Sequence, residues 1–245
     1  MFSEQILRTT RNAQRVRQGN REWFRFENLA NGEVAVYIYD EIGFFGVTAS
    51  DFLGELRGIT SNALNVHLNS PGGDVFDGIA IYNGLKQHRA KVNIVVDSIA
   101  ASIASVIAMA GDTVTMTRGS MMMIHEPFAL VIGDANDMRK QAEALDLMGQ
   151  NIASIYADRA GGSVEEWRGR MTAETWYSGA DAVAAGLADA VAGESQKNTF
   201  DLSIFRNGPS PVQAEEPLPV VPDWRHEARV AVAAAQMEVL SGYGN

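Results

Sequence analysis

Short apolar runs alternate with amphipathic segments through the middle of the chain. Runs rich in β-branched and aromatic residues predict strands at residues 34–39, 63–68, 92–96, 113–116 and 121–124. Segments with helical spacing lie between them and predict helices near residues 48–57, 74–88 and 101–110. Strands that alternate with helices in this way predict an α/β domain with a mostly parallel sheet.

A much longer helical pattern follows the last of these strands, at residues 136–159. Its apolar positions recur at helical spacing: Met138, Ala142, Leu145, Met148, Ile152 and Ile155. Such a helix either covers the sheet or packs against another subunit, and the sequence leaves both interpretations open. Cap signals at Ser163 and Ser178 then predict two shorter helices, the second of which ends at Gly186.

Composition divides the chain into four parts. Residues 1–29 are polar and basic and predict an N-terminal arm, whereas residues 30–193 carry the apolar periodicity of a folded domain. Five of the seven prolines lie in residues 194–222, which are therefore predicted to form an extended linker. Residues 223–245 are rich in alanine and predict a short terminal helix. We expect the tail after the domain to be dispensable for folding.

The charge balance and the missing cysteines exclude several functions. The formal net charge is −10, which argues against a nucleic-acid partner because phosphate binding needs clustered Lys and Arg. No cysteine is present, so disulfides, thiolate metal sites and cysteine nucleophiles are excluded. No apolar stretch approaches the ~20 residues of a membrane span, and the first residues lack the apolar core of a signal peptide. We therefore expect a soluble, cytoplasmic protein with no membrane contact and no metal site.

Ser102 and His125 are the strongest candidates for chemistry. Ser102 lies among small residues at the start of a predicted helix, whose N-terminal partial charge favours a developing anion. His125 follows a predicted strand, and α/β folds place chemistry at the carboxyl ends of strands. A neutral imidazole, with an unperturbed pKa of about 6.5, can take the serine proton near physiological pH. The pair predicts acyl transfer by a serine nucleophile.

A Ser-Pro-Gly-Gly turn at residues 70–73 supplies a third component. It lies between a predicted strand and a predicted helix, where its backbone N–H groups can bind an oxyanion. Alternatives stay open at this point. Ser105 lies about one helical turn from Ser102 and competes as the nucleophile. Each of these residues also has a purely structural interpretation, as a packed serine, a strand-end histidine or a plain turn.

Taken in order, these segments resemble the Clp protease proteolytic-subunit family of serine peptidases. The resemblance covers about residues 32–192 and rests on the motifs at residues 69–73, 100–102, 110–111, 123–127, 176–183 and 186–189. It implies a spiral α/β fold of repeated β-β-α units, shared with the crotonases, and a long protruding helix. It also implies a homo-oligomeric ring, a protein or peptide substrate, and no cofactor.

The resemblance implies a role for each candidate residue. Ser102 aligns with the family's nucleophile and His125 with its general base, and the backbone N–H groups of Gly72 and Ile103 align with the oxyanion donors. The family's third member is an aspartate, whose place is taken by Glu174, and glutamate can orient a histidine as aspartate does. The neighbouring carboxylates, Asp181 and Asp189, fit capping and surface roles better.

The sequence departs from the family pattern around the nucleophile and after the domain. The family's Gly-Gln before the Ala-Ala-Ser motif is replaced by Ser98 and Ile99, and its Met-Gly after the motif by Ile103 and Ala104. The linker and terminal helix are more similar to phage-encoded relatives that act in capsid maturation. That similarity implies capsid or scaffold proteins as candidate partners, in the host cytoplasm.

Three other functions compete with a serine endopeptidase. A crotonase-like acyl-CoA hydratase or isomerase shares the fold and a glycine oxyanion hole, but needs no serine–histidine pair. A serine–lysine dyad would use Lys86, Lys91 or Lys140, none of which has a suitable family context. An inactive scaffold protein of the same fold is favoured by the change to Glu174. The intact serine, histidine and Gly-Gly motifs favour the peptidase.

Overall fold

A mixed sheet of eight strands organises the residues that the computed structural model describes, which are 24–43, 46–194, 200, 202 and 205–208. The strands are β1 Phe24–Asn28, β2 Val34–Ile38, β3 Ala63–Ser70, β4 Lys91–Ala101, β5 Thr113–Arg118, β6 Met121–Ile124, β7 Thr175–Ser178 and β8 Ala190–Glu194. The helices of the same residues are α1 Ala49–Leu56, α2 Val75–Lys86, α3 Ile103–Ala108, α4 Ala135–Ala160, α5 Val164–Thr172 and α6 Gly179–Ala184.

The sheet is mostly parallel and branches at β4. Its main path runs β1-β2-β3-β4-β5-β8, and only the β1–β2 and β6–β7 pairs are antiparallel. The first half of β4 pairs with β5, and its last residues, from Ile99 to Ala101, pair with β6. This arrangement confirms the α/β fold class predicted from the sequence. The branch matters for function because it brings the end of β6 beside the end of β4.

The core lies between the parallel strands and helices α1 to α3. Its largest fully buried side chains include Phe52 of α1, Leu64 and Leu68 of β3, Ile81 of α2 and Ile94 of β4. Each such side chain contributes about 1.5–3 kcal/mol by leaving water. The core therefore fixes β3 and β4 rigidly, and the loops at their carboxyl ends inherit that rigidity.

Two strands differ from the sequence prediction. Residues 24–28 were assigned to the N-terminal arm, but they form edge strand β1, because Phe24 and Phe26 both pack on Phe52 with ring centroids 5.8 and 5.5 Å away. Strand β4 continues past residue 96 to Ala101, where the sequence predicts the start of a helix. Pairing with β6 keeps this small-residue stretch extended.

Helix α4 protrudes from the domain, as predicted. Asp134 caps it through a complete capping box with Asp137. Its buried residues are Gly149, Ile152, Ala153 and Tyr156, all in the second half of the helix. The first half has no buried residue and carries mostly exposed side chains.

The described residues of the predicted linker pack against the domain. Leu202 and Phe205 are buried in a small apolar cluster with Ile99, Ala101 and Met123. These residues belong to a compact unit of residues 1–210, and a second unit comprises residues 211–245. The predicted terminal helix lies outside the described residues, as does most of the predicted arm. An extended linker would not bury two side chains in this way, so the packing of Leu202 and Phe205 departs from the expectation.

Candidate active site

Ser102 lies at a sharp turn between β4 and α3. Its backbone has φ 55° and ψ −131°, a conformation that residues other than glycine rarely adopt and that costs about 1–3 kcal/mol. The Ser102 N–H donates to the carbonyl of Met123 at 2.9 Å, which ties the turn to β6. The turn leaves the hydroxyl at the N-terminal end of α3, where the sequence predicts it.

The pairing of β4 with β6 places His125 beside Ser102. Ala101 is opposite Met123 in the parallel register, and His125 follows the last residue of β6. The result is a distance of 2.7 Å between His125 Nε2 and Ser102 Oγ. This is hydrogen-bond geometry between a nucleophile and its base.

Two aromatic rings contact the imidazole of His125. Phe128 and Phe205 contact it edge-on, with centroids 5.7 and 5.5 Å from that of the imidazole. Burial lowers the pKa of His125 to about 4, while the charge of Glu174 acts to raise it and that of Arg206 to lower it. The ring is therefore neutral at physiological pH and able to accept the serine proton.

The competing nucleophile Ser105 has a structural role. It is fully buried, and its hydroxyl donates to the carbonyl of Ser102 at 2.5 Å and lies 2.7 Å from the Tyr156 hydroxyl. These contacts hold the first turn of α3 against α4. The structure thus places Ser102 in contact with His125, whereas Ser105 lies in the buried contact between α3 and α4. Three lysines considered for a dyad, Lys86, Lys91 and Lys140, are all exposed.

The glycine turn approaches Ser102 more closely than any side chain would allow. Gly72 has φ 96°, and a β-carbon there would lie 2.6 Å from Cβ of Ser102 and 2.7 Å from the carbonyl oxygen of Ala101. Ile42 anchors the turn, because its N–H donates to Gly72 O and its carbonyl accepts from Asp74 N–H, both at 2.8 Å. Gly72 is therefore required at this position.

The two predicted oxyanion donors flank the serine. Ile103 is the first residue of α3, so its N–H has no partner within the helix. The N–H of Gly72 donates to Ser70 Oγ at 3.2 Å, a long bond that an oxyanion would have to replace. An apolar pocket beside them is lined by Val75, Val106 and Ile152, among other residues.

Glu174 immediately precedes β7, and His125 immediately follows β6. The antiparallel β6–β7 register ends at the pair of Ile124 and Thr175, so His125 and Glu174 flank the last pair of the ladder. Glu174 is buried and has φ 50°. Among the described residues, however, no hydrogen bond joins its carboxylate to His125.

The Glu174 carboxylate instead binds residues that follow the domain. Its Oε2 accepts the backbone N–H of Arg206 at 2.7 Å, and its Oε1 accepts the backbone N–H of Asn207. Trp176 Nε1 also lies 3.5 Å from Oε1. The sequence offers no signal for this contact, because backbone N–H groups are the donors and any residue except proline carries one.

The alternative carboxylates have other partners. Asp181 accepts the Ser178 N–H and hydroxyl at the start of α6, at 3.2 and 2.6 Å. Asp189 accepts the Val114 N–H and pairs with Arg159, each at 2.6 Å. Both carboxylates thus have the capping and surface roles expected from the sequence.

Glu126, next to the histidine, holds α5 against the end of β6. Its Oε1 accepts Arg168 Nε at 2.7 Å and the hydroxyl of Thr172 at 3.2 Å. Arg168 also pairs with Asp146 of α4 at 3.2 Å. Of these residues, only Glu126 belongs to a sequence motif, the one at residues 123–127. They fix the peptide segment that carries His125.

The described residues contain no group of three or more His, Asp or Glu side chains arranged to hold a metal ion. None of their helices is long and apolar enough to cross a bilayer.

A serine and a neutral histidine at the carboxyl edge of a parallel sheet, beside a glycine turn, define a serine-type hydrolase. A family model described as Clp protease matches residues 50–195. Among curated proteins, the ATP-dependent Clp protease proteolytic subunit of Pleurastrum terricola is 32% identical over 131 residues, which cover 53% of this chain and 67% of that protein. The chain belongs to the Clp protease family of serine-type peptidases.

Two further relatives carry the name ATP-dependent Clp protease proteolytic subunit 1. The protein from Prochlorococcus marinus is 30% identical over 128 residues, which cover 51% of this chain and 65% of that protein. The protein from Salinibacter ruber is 25% identical over 198 residues, which cover 74% and 84%. These matches confirm the family resemblance and favour a peptidase over the crotonase-like alternative.

Proposed function

We propose that this chain is a serine endopeptidase that works through a Ser102–His125–Glu174 triad and an acyl-enzyme. The 2.7 Å contact between Ser102 Oγ and a neutral His125 is the observation that carries the proposal. His125 takes the hydroxyl proton as Ser102 attacks the peptide carbonyl, and it returns the proton to the leaving amine. Water, deprotonated by the same imidazole, then releases the acyl group.

The oxyanion of each tetrahedral intermediate would bind the N–H groups of Gly72 and Ile103. Two features support this assignment. The Gly72 backbone lies against Ser102, and the N-terminal end of α3 adds a partial positive charge at the same point. The long Gly72 N–H bond to Ser70 would be exchanged for a stronger, charge-assisted bond to the oxyanion.

Glu174 would be the third member because it and His125 flank the last pair of the β6–β7 ladder. Its carboxylate would accept the other ring N–H, fix the tautomer and stabilise the imidazolium that forms during attack. Its charge already acts on the pKa of His125 in the direction that this role requires.

Protein substrates and a homo-oligomeric ring are part of the proposal. Exposed apolar side chains support an assembly: Phe128, Leu130 and Ile132 lie between His125 and α4, and Met138 and Leu147 lie on α4 itself. Burying such side chains against a second subunit would be favourable. Capsid or scaffold proteins as partners and a cytoplasmic location remain predictions from the sequence.

A nucleophile substitution tests the central claim. Ser102→Ala should lower peptide cleavage by several orders of magnitude, because alanine cannot attack the carbonyl. Ser105→Ala is the matched control and should keep most of the activity. The measurement is peptide hydrolysis with covalent labelling by a fluorophosphonate probe. Cleavage or labelling that survives in Ser102→Ala would overturn the proposal. A wild-type chain that the probe does not label would overturn it too, because such a chain would be an inactive scaffold.

A second substitution tests the acid. Glu174→Gln should lower kcat with little change in KM, because it removes the charge that stabilises the imidazolium. Glu174→Asp should keep part of the activity, and Asp181→Asn should have little effect because that carboxylate only caps α6. Steady-state kinetics on one peptide compare the three variants. A wild-type kcat in Glu174→Gln would leave a Ser102–His125 dyad.

A further inference from the structure

A short segment that follows the peptidase domain lies on the catalytic histidine. We refer to the described residues 200, 202 and 205–208 as the docked segment. Leu202 and Phe205 are 6% and 8% exposed, and with partly buried Phe200 they pack on an apolar patch separate from the main core. Ile99, Ala101, Met123 and Trp176 form that patch. The patch therefore lies at the ends of β4, β6 and β7, the same place as the active site.

Backbone polar groups anchor the docked segment to the proposed triad acid. Arg206 N–H and Asn207 N–H bind one carboxylate oxygen of Glu174 each. The Asn207 side chain donates from Nδ2 to the carbonyl of Ala173 at 2.9 Å and to that of Glu174 at 3.3 Å. Hydrogen bonds to an ionised carboxylate are stronger than those between neutral groups. Glu174 is thus the main polar anchor of the segment.

The same contacts separate Glu174 from its catalytic partner. Both carboxylate oxygens face the docked segment, and no hydrogen bond to His125 forms within the described residues. The Phe205 ring lies 5.5 Å from the His125 ring and 5.7 Å from the Trp176 ring. The histidine keeps its bond to Ser102, so the dyad is assembled without its acid.

We propose that the docked segment is autoinhibitory: it occupies the carboxylate of Glu174 and covers His125, and the full triad forms only when the segment leaves. This inference rests on the proposed triad. With the segment displaced, the Glu174 carboxylate loses two backbone donors, and the His125 imidazole, on which its charge already acts, becomes available as a partner. The activity of the intact chain then comes from the minority of molecules in which the segment is undocked.

Two substitutions at the exposed residue Asn207 distinguish its backbone hydrogen bond to Glu174 from its side-chain hydrogen bonds. Asn207→Pro removes the N–H that binds Glu174, whereas Asn207→Ala keeps that N–H and removes only the side-chain bonds. In the full chain, Asn207→Pro should raise kcat/KM for a small peptide by roughly tenfold or more, since the acid of a triad is worth up to about 10⁴-fold. Asn207→Ala should give a smaller rise.

Phe205→Ala provides a second, independent way to release the segment. It removes the ring that covers His125, and it should raise kcat/KM in the same direction. The rise in kcat/KM must depend on Glu174. The double variant Phe205→Ala with Glu174→Gln should therefore show no such rise over Glu174→Gln alone. Unchanged or lower activity in both Asn207→Pro and Phe205→Ala, in chains whose circular dichroism shows a folded domain, would overturn the inference. A gain that survives Glu174→Gln would overturn it as well.

Labelling by a fluorophosphonate separates this inference from the proposed function. Faster labelling of Ser102 in Phe205→Ala than in the wild-type chain supports autoinhibition. Equal labelling rates in the two chains overturn autoinhibition alone and leave the peptidase intact. Absence of labelling in both chains overturns the proposed function, and the inference with it.

Discussion

Two residues other than glycine have a positive φ within the described chain, and both belong to the proposed triad. Ser102 has φ 55° and Glu174 has φ 50°. Such strain persists only where surrounding contacts impose it. For Ser102 the constraint is the bond to Met123, and for Glu174 it includes the two N–H groups of the docked segment. Both strained residues are thus proposed members of the triad, and the strain supports the proposed role of Glu174.

The sequence indicates Ser102 and His125 as candidates because each follows an apolar strand within a recognisable motif. It could not give the surroundings of His125. From the sequence alone, the expected pKa of His125 is the unperturbed value of about 6.5. Phe205, distant in sequence, helps to bury the ring, and that burial lowers the pKa to about 4. No local pattern around residue 125 contains this information.

The surroundings of His125 determine how peptide hydrolysis should depend on pH. Since kcat/KM follows the neutral imidazole of the free enzyme, and most free molecules keep the segment docked, it should rise with pH around a midpoint of about 4. Among the charged groups acting on His125, Glu174 moves the midpoint up and Arg206 moves it down. His88→Gln is the control, because that ring only accepts the Ala90 N–H.

Kinetics must be restricted to the pH range in which circular dichroism shows a folded chain. The pKa of folded His125 lies below the unfolded value, so its contribution to stability falls as pH drops from about 6.5 towards 4. A midpoint near 6.5 in the wild-type chain would show that the ring is solvated and the docked segment absent.

The three proposed catalytic groups have the same kind of local structure, in which each lies just after the end of a buried parallel strand. Strand β3 precedes Gly72, β4 precedes Ser102 and β6 precedes His125. The sequence predicted all three strands from their apolar runs. It ended β4 too early because the stretch before Ser102 is rich in alanine, which has a low strand propensity. Pairing with β6, a non-local contact, extends the strand.

A glycine substitution tests the close approach of these turns. Gly72→Ala should lower kcat sharply, because its β-carbon would lie 2.6 Å from Cβ of Ser102 and its φ of 96° disfavours alanine. Gly54→Ala in α1 is the matched control: no atom lies within 4 Å of its β-carbon, and alanine favours helix. Its stability should rise by about 0.5–1 kcal/mol with activity unchanged.

Peptide hydrolysis and thermal unfolding compare the two alanine variants. If Gly72→Ala kept the wild-type kcat, the turn would be too distant to contribute an oxyanion donor.

At the scale of the whole chain, the sequence located the folded domain but not what the segment after it does. Periodicity needs a window of about 11–18 residues. The docked segment contributes only Phe200, Leu202 and Phe205 to an apolar cluster, and prolines follow it. Composition therefore indicated a linker. Its docking depends on a complementary patch formed by three distant strands, which no local window contains.

Two shortened chains test how much of the tail belongs to the fold. A chain that ends at Gly208 keeps Leu202, Phe205 and the Glu174 anchors, and should unfold at the same temperature as the full chain. A chain that ends at Glu194 loses two buried side chains, each worth about 1.5–3 kcal/mol. For a domain of this size that loss corresponds to a melting temperature lower by roughly 5 °C or more.

The shorter chain also uncovers the apolar patch of Ile99, Ala101, Met123 and Trp176, so it should associate more at high concentration. Calorimetry gives the melting temperatures, and sedimentation velocity gives the association. Equal stability of the chain ending at Glu194 and the full chain would mean that the docked segment adds nothing to the fold. A loss of stability already at Gly208 would instead mean that the unit of residues 211–245 supports the domain, contrary to the expectation that it is dispensable.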